Sequence, residues 1–429
     1  MISTRFEDLV VRHTSCQLRA VALDAIGGLL GALVGGAFVV VVTLVLKASL
    51  DYFAGQATWL LVVCPLIGLA LATFALHGLG RSEGKGQASA FRAFPPHAVR
   101  ADITGDIVDS AGQEERFPWR LAPIRLTAIL ATVGLGAGMG TEAPAAYLGV
   151  AAGACVGDRG RRWRRLLRPA ALGGGAAGVA ALMGIPLVGT AYMLEIGRRN
   201  GAPYSTGRLL AGLIGGFVGW GIDKVFGLDL IRLVVPKEPP VSLTQALVTT
   251  LFIGALSGGI TSLAAAALYR AKKWQAAPLV RLALGGLAAA GAAVVLVMVA
   301  EPSAAFGPGG GAILWAESHA ALPLTLLAVA LLRAAITTAA AAAGGCGGVF
   351  VPFLAVGDLA GRVFAPGLDV GNDLAGAAGA AAGIAGGYRL PLTAVAMVLG
   401  VGGPRAATLT CLGVVLVAYF TDKLNPFKR

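Results

Sequence analysis

Glu142 is the residue in this chain best placed to do chemistry, because of the segment it stands in, Gly140-Thr141-Glu142-Ala143-Pro144. The same G-x-x-x-P spacing returns 208 residues later as Gly348-Val349-Phe350-Val351-Pro352. Glycine lets backbone crowd against a ligand, and proline is at home in the first turn of a helix. Both segments therefore read as helix N-termini, where unpaired N–H groups and the helix dipole favour an anion. An ionised carboxylate at such a start competes with a free anion for the same N–H groups, and a protonated one can leave. That chemistry is a gated anion pathway. Glu142 is the expected gate, and Gly140, Thr141, Gly348, Val349 and Phe350 are the expected anion-binding positions.

The elements that must hold these residues lie in a membrane. Of the 429 residues, 56% are hydrophobic and only 13% are charged, and mean hydropathy is +0.78. Apolar runs recur at 21–46, 57–76, 121–139, 243–268, 279–300 and 320–343. A spanning helix needs about 20 such residues, so the sequence is that of an all-α, multi-pass membrane protein. The 63 glycines suit close helix packing in lipid.

The net charge of +12 does not point to nucleic acid. The basic residues sit in short loops, as the positive-inside rule expects. They are Arg5, Arg12 and Arg19, the cluster from Arg159 to Arg165, Arg198-Arg199, Arg270-Ala271-Lys272-Lys273 and Lys428-Arg429. Assigning them to the cytoplasm puts the acidic stretch 102–115 outside. The five cysteines form no metal-type pair, and the four histidines are scattered. No paired catalytic carboxylates or His-rich cluster appears. We expect no metal, no cofactor and no enzymatic activity. An apolar run too long for a signal peptide, preceded by Glu7 and Asp8, argues against a cleaved leader.

The chain also repeats itself. Ala176-Ala177-Gly178-Val179-Ala180 before Pro186-Leu187 returns 205 residues later as Ala381-Ala382-Gly383-Ile384-Ala385 before Pro391-Leu392. This divides the chain into a cytoplasmic N-terminal segment (1–20), a first transmembrane repeat (21–222), a polar linker (223–242), a second repeat (243–421) and a cytoplasmic tail (422–429), with no soluble domain after the last span. Repeats of this kind pack about a pseudo-two-fold axis with the site between them near the midplane. Broken helices are expected at 78–86, 306–311 and 344–348, where glycine is dense and irregular backbone lines a cavity.

At these residues the sequence resembles the CLC family of chloride channels and proton/chloride antiporters. Signature segments of that family are G-S-G-I-P, G-K/R-E-G-P and G-x-F-x-P. The segment 348–352 fits the third, and 140–144 resembles the second, with Thr141 in place of the basic residue and Ala143 in place of glycine. Further likeness lies in Glu301-Pro302 followed by Gly309-Gly310-Gly311, in Ala334-Ala335-Ile336-Thr337-Thr338, and in Leu390-Pro391-Leu392-Thr393-Ala394-Val395. The resemblance implies a bundle of two inverted-topology repeats with broken and tilted helices. It implies a homodimer in the lipid bilayer of the cell inner (plasma) membrane, with one pathway per subunit for chloride or a similar small anion. Glu142 falls on the family's external gating glutamate. The small-residue segment 171–181 is a candidate for packing between subunits.

Three departures bear on function. The nearest counterpart of G-S-G-I-P is Gly84-Lys85-Gly86-Gln87-Ala88, so Lys85 replaces a serine hydroxyl at the central anion site. Facing that site, Lys85 strengthens anion binding and discourages protonation of Glu142. Facing the cytoplasmic vestibule, it only attracts anions. Phe427 stands near the position of the family's C-terminal tyrosine, which removes a second hydroxyl. Counting from Pro186 puts Ile196 at the internal proton position of the antiporters, with Glu195 beside it. Adjacent helical residues point about 100° apart, so Glu195 does not simply stand in.

An apolar Ile196 implies a channel-like or weakly proton-coupled transporter. Alternatives are a proton/chloride antiporter that runs protons through Glu142 and Glu195, a fluoride transporter, and a non-conducting protein of the same fold.

Overall fold

The computed structural model describes residues 2–79, 101–160, 163–228, 233, 235–237, 241–403 and 405–423. Its helices in the first half are α1 (Ile2–Ala54), α2 (Thr58–Phe74), α3 (Ile103–Ser110), α4 (Ala122–Gly134), α5 (Glu142–Gly157), α6 (Leu167–Met183), α7 (Pro186–Arg198) and α8 (Thr206–Phe226). Those in the second are α9 (Leu243–Lys273), α10 (Pro278–Val299), α11 (Pro302–Ala305), α12 (Gly310–Ser318), α13 (Pro323–Ala342), α14 (Phe350–Val363), α15 (Ala365–Leu368), α16 (Asn372–Ala382), α17 (Pro391–Gly402) and α18 (Ala406–Lys423). Their starts are written in the sequence. Proline opens α7, α10, α13 and α17, where its missing N–H is no loss. Ser205 caps α8 by accepting from the N–H of Arg208, and Ser242 caps α9 by accepting from that of Gln245, both at 3.3 Å.

Among the described residues, seven helical segments are long and apolar enough to cross a membrane: Gln17–Ala54, Thr58–Gly78, Arg164–Met183, Thr206–Phe226, Leu243–Lys273, Pro278–Val299 and Pro323–Ala342. The protein is a multi-pass membrane protein. The run 121–139, expected to span, does not do so as one helix: α4 stops at Gly134 after 13 residues. The helices α5 and α14, with 16 and 14 residues, are also short of a full crossing. The broken segments expected at 306–311 and 344–348 are seen between α11 and α12 and between α13 and α14. Most of the one expected at 78–86 lies outside the described residues.

By compactness the chain falls into two units. The first comprises Met1–Val40, Asp106–Arg120 and Ala146–Gly227. Its centre is α6, in which every residue but Arg168 is buried, as befits a helix that is apolar all round. Small residues let neighbours reach it. A side chain on Gly35 of α1 would come within 2.8 Å of the Gly174 Cα, and any side chain on Gly149 of α5 or Gly174 of α6 would run into the other's carbonyl. The segment 171–181 is thus buried inside its own unit and is not free to pack against a second subunit, contrary to expectation. Its small residues serve contacts within the subunit.

The second unit comprises Val41–Gly105, Leu121–Ala145 and Leu228–Arg429. Its centre is the pair α14 and α16, buried from Phe350 to Arg362 and from Leu374 to Ala382. In α2 and α10, large apolar side chains such as Ile67, Leu71, Phe74, Leu284, Leu287 and Met298 are exposed, as lipid-facing residues are.

Ion pairs correct one expectation of topology. In the second unit Lys272 donates to Asp102 at 3.1 Å. Burial opposes ionisation of Asp102, but the charge and hydrogen bond of Lys272, with the charge of Arg125, outweigh it and hold the carboxyl below its ordinary value. In the first unit Arg168 donates to Glu114 at 3.1 Å, and Arg208 pairs with the same carboxylate. Asp102, at the start of the acidic stretch, therefore shares a membrane side with Lys272 of the Arg270–Lys273 cluster and is not opposite it. The positive-inside rule counts lysine and arginine and says little about acidic residues, so it gave no warrant for separating the two.

Overpacking the first unit is the test of this architecture. Gly174→Val should destabilise by at least ~2 kcal/mol and abolish a monodisperse peak in mild detergent. Gly221→Ala and Gly291→Ala, where an added Cβ meets nothing within 4 Å, should leave the melting temperature unchanged or slightly raised.

Candidate anion gate

Two helix–loop–helix segments build the site, and the second unit contains both loops and both junction glycines. α4 ends at Gly134 and α13 at Ala342, and two residues beyond each a glycine takes a left-handed conformation, Gly136 at φ +79° and Gly344 at φ +95°. The N–H of Ala137 returns to the Thr132 carbonyl at 3.0 Å, and that of Gly345 to the Ala340 carbonyl at 2.9 Å. These are matching helix endings 208 residues apart. The loops then meet. Gly140 and Gly348 exchange two backbone hydrogen bonds, each 2.7 Å, and form an isolated antiparallel bridge. Two residues after each glycine a helix begins, α5 at Glu142 and α14 at Phe350.

Crossed side-chain bonds brace the junction. The Thr132 hydroxyl on α4 accepts from the Cys346 N–H at 3.0 Å, and the Thr337 hydroxyl on α13 donates to the Gly138 carbonyl at 2.8 Å. Each loop is thereby tied to the helix that precedes the other. Neither partner stood out in the sequence as a site residue, although Thr337 lies in a segment that carries the family likeness.

Glu142 is wholly buried at this junction. Its Oε1 accepts from the Thr141 hydroxyl at 3.0 Å. The backbone N–H groups of Thr141, Glu142 and Val351 face the carboxylate, yet Oε2 makes no hydrogen bond of its own among the described residues. A Cβ on Gly140 would lie 2.6 Å from that oxygen and 3.2 Å from the Pro352 Cδ, so only glycine leaves the carboxylate room. The first turn of α14 presents the N–H of Val351, while Pro352 has none to present. The carboxylate of one helix start thus lies at the start of the other, on donors that an anion would otherwise use. Thr141 supplies a neutral donor where the family pattern has a cation.

Val349 caps α14 and is buried, as is Phe350. The Phe350 ring meets that of Tyr388 edge-on with centroids 6.0 Å apart, a neighbour the sequence did not single out. Glu195 and Ile196 lie on α7 in the first unit, where Ile196 is fully buried and Glu195 is 8% exposed. Gly84, Lys85, Gly86 and Phe427 lie outside the described residues.

Comparison with known proteins agrees with this architecture. The sequence profile of the family described as Voltage gated chloride channel matches residues 88–423. The H(+)/Cl(-) exchange transporter ClcA of Citrobacter koseri is 27% identical over 418 residues, covering 92% of this chain and 84% of that protein. ClcA of Yersinia pestis is 26% identical over 434 residues, covering 96% and 87%. Among solved structures, a slow cyanobacterial Cl-/H+ antiporter superposes with a TM-score of 0.69 at 20% identity, over 95% of this chain and 94% of that one. A CLC-type fluoride/proton antiporter superposes with a TM-score of 0.71 at 22% identity, over 95% and 98%. At such identities the structures show the fold, which is that of CLC proteins, and the profile shows the kinship: this chain belongs to the voltage-gated chloride channel family.

Proposed function

We propose that this protein carries chloride or a similar small anion across the cell inner membrane, and that Glu142 gates the pathway. The observation that carries this reading is the buried Glu142 carboxylate at the start of α14, joined to its own helix start by the Gly140–Gly348 bridge. Membership of the family and the names of its relatives support anion transport. While ionised, the carboxylate occupies the donors and excludes an anion; once protonated, it loses its claim on them. Flux therefore rises as pH falls. Glu142→Gln removes the charge permanently. It should raise flux at neutral pH at least several-fold and abolish the pH response in liposomes. Unaltered flux and an unaltered pH response would refute the gate.

The transport is channel-like or weakly coupled to protons. Ile196 places no titratable group at the antiporters' internal proton position, and a buried carboxylate is costly enough that membrane proteins keep one mainly where it functions. A chloride gradient across liposomes under a potassium clamp should drive little uphill proton movement, and Ile196→Glu should add some. Stoichiometric uphill proton transport by the wild-type protein would refute this reading. It would favour a second one, a proton/chloride antiporter working through Glu142 and Glu195, for which the buried position of Glu195 and the names of the ClcA relatives speak. Fluoride flux exceeding chloride flux in the same liposomes would identify the fluoride alternative, and no flux of either anion through folded protein the non-conducting one.

The family resemblance extends the proposal to a homodimer with two separate pathways. Light scattering in mild detergent should give twice the chain mass. A fully active monomer in lipid would overturn it.

A further inference from the structure

A buried arginine, Arg333, stands behind the loop that carries Gly136 and Gly138. It lies on α13, is 1% exposed, and spends its charge on backbone. One terminal nitrogen donates to the carbonyls of Ala305 at 2.9 Å and Ala304 at 3.4 Å, and the other to that of Gly307 at 2.8 Å. A cation removed from water is costly unless its donors are used; here Nε has no hydrogen-bond partner among the described residues, and the two terminal nitrogens fix one short segment, the end of α11 and the two residues after it.

That segment touches the gate loop. The Gly307 N–H donates to the Gly136 carbonyl at 2.9 Å. The Phe306 ring covers Gly136 so closely that any side chain there would overlap it. One turn further along α13, Thr337 holds the Gly138 carbonyl, and a Cβ on Gly138 would lie 2.6 Å from the Ile336 Cγ2. One face of α13 therefore grips residues 136–138 twice, directly through Ile336 and Thr337 and indirectly through Arg333. Two residues beyond that grip, Gly140 makes its bridge to Gly348.

We propose that Arg333 is a positioning residue of the gate: by pinning Phe306 and Gly307 against Gly136, it holds the loop that sets Glu142 on the α14 donors. The proposal rests on the reading of Glu142 as the gate. A planar fork reaching three carbonyls is a task for arginine; a lysine ammonium keeps the charge without the fork.

The experiment compares chloride flux between pH 7.5 and 4.5 in liposomes for wild type, Arg333→Gln, Arg333→Lys, Phe306→Ala, Glu142→Gln and the double variant Arg333→Gln/Glu142→Gln. With the loop unpinned the carboxylate loses its seat, so Arg333→Gln should pass several-fold more chloride at pH 7.5 and show a flattened pH response. Arg333→Lys should recover part of the response, and Phe306→Ala should act in the same direction as Arg333→Gln. The double variant should match Glu142→Gln alone, because Arg333 acts through Glu142. Wild-type pH dependence in folded Arg333→Gln, with Glu142→Gln flat, overturns the assignment of Arg333 and leaves the gate standing. A wild-type flux that ignores pH overturns the gate and this assignment together. If Arg333→Gln does not fold, wild-type pH dependence in both Arg333→Lys and Phe306→Ala overturns the assignment.

Discussion

The site depends on one contact of two hydrogen bonds. By exchanging N–H and C=O, Gly140 and Gly348 remove four backbone groups from a region where water is scarce, and at the same time bring two helix starts face to face. Backbone that leaves the helix inside a membrane must find partners in the protein. Pairing the two loops with each other meets that need and sets the N–H groups of Thr141, Glu142 and Val351 around the Glu142 carboxylate. The left-handed glycines at 136 and 344, the crossed threonine bonds and the grip of α13 all hold this pairing in register.

Much of this was legible. The spacing of Gly140 to Pro144 and Gly348 to Pro352 gave two helix starts and a carboxylate at one of them, and glycine density located the breaks between α11 and α12 and between α13 and α14. What was not legible has physical reasons. The run 121–139 is apolar throughout, and hydropathy does not reveal that Gly136 turns left-handed and ends the helix. The side of the membrane taken by residues 102–115 was misread because charge statistics do not report pairing, whereas Lys272 and Asp102 do. The small residues of 171–181 looked the same whether they packed within the subunit or between subunits. Tyr388 reaches the site neighbourhood after a π-helical turn at Gly383–Gly387, and Arg333 lies along a helix whose apolar pattern gave no hint of its use.

The chemistry at Glu142 follows from crowding. The carboxylate has one bonded oxygen and one that abuts Gly140, so it sits among donors without fully engaging them. A group bound more completely would be slow to leave, and conduction needs occupants that exchange. Thr141 contributes a donor without a charge, which holds the Glu142 carboxylate less firmly than a neighbouring cation would.

The 208 residues that separate Gly140 from Gly348 also matter while the chain is being made. At synthesis rates of ~5–20 residues per second, the first half waits on the order of 10–40 s before its partner glycine exists. Throughout that interval the Gly140 N–H and C=O have no bridge, and Gly138 gains the threonine that holds it only near the end, when Thr337 is made. A chain cut short before Gly348 therefore cannot close the junction at all.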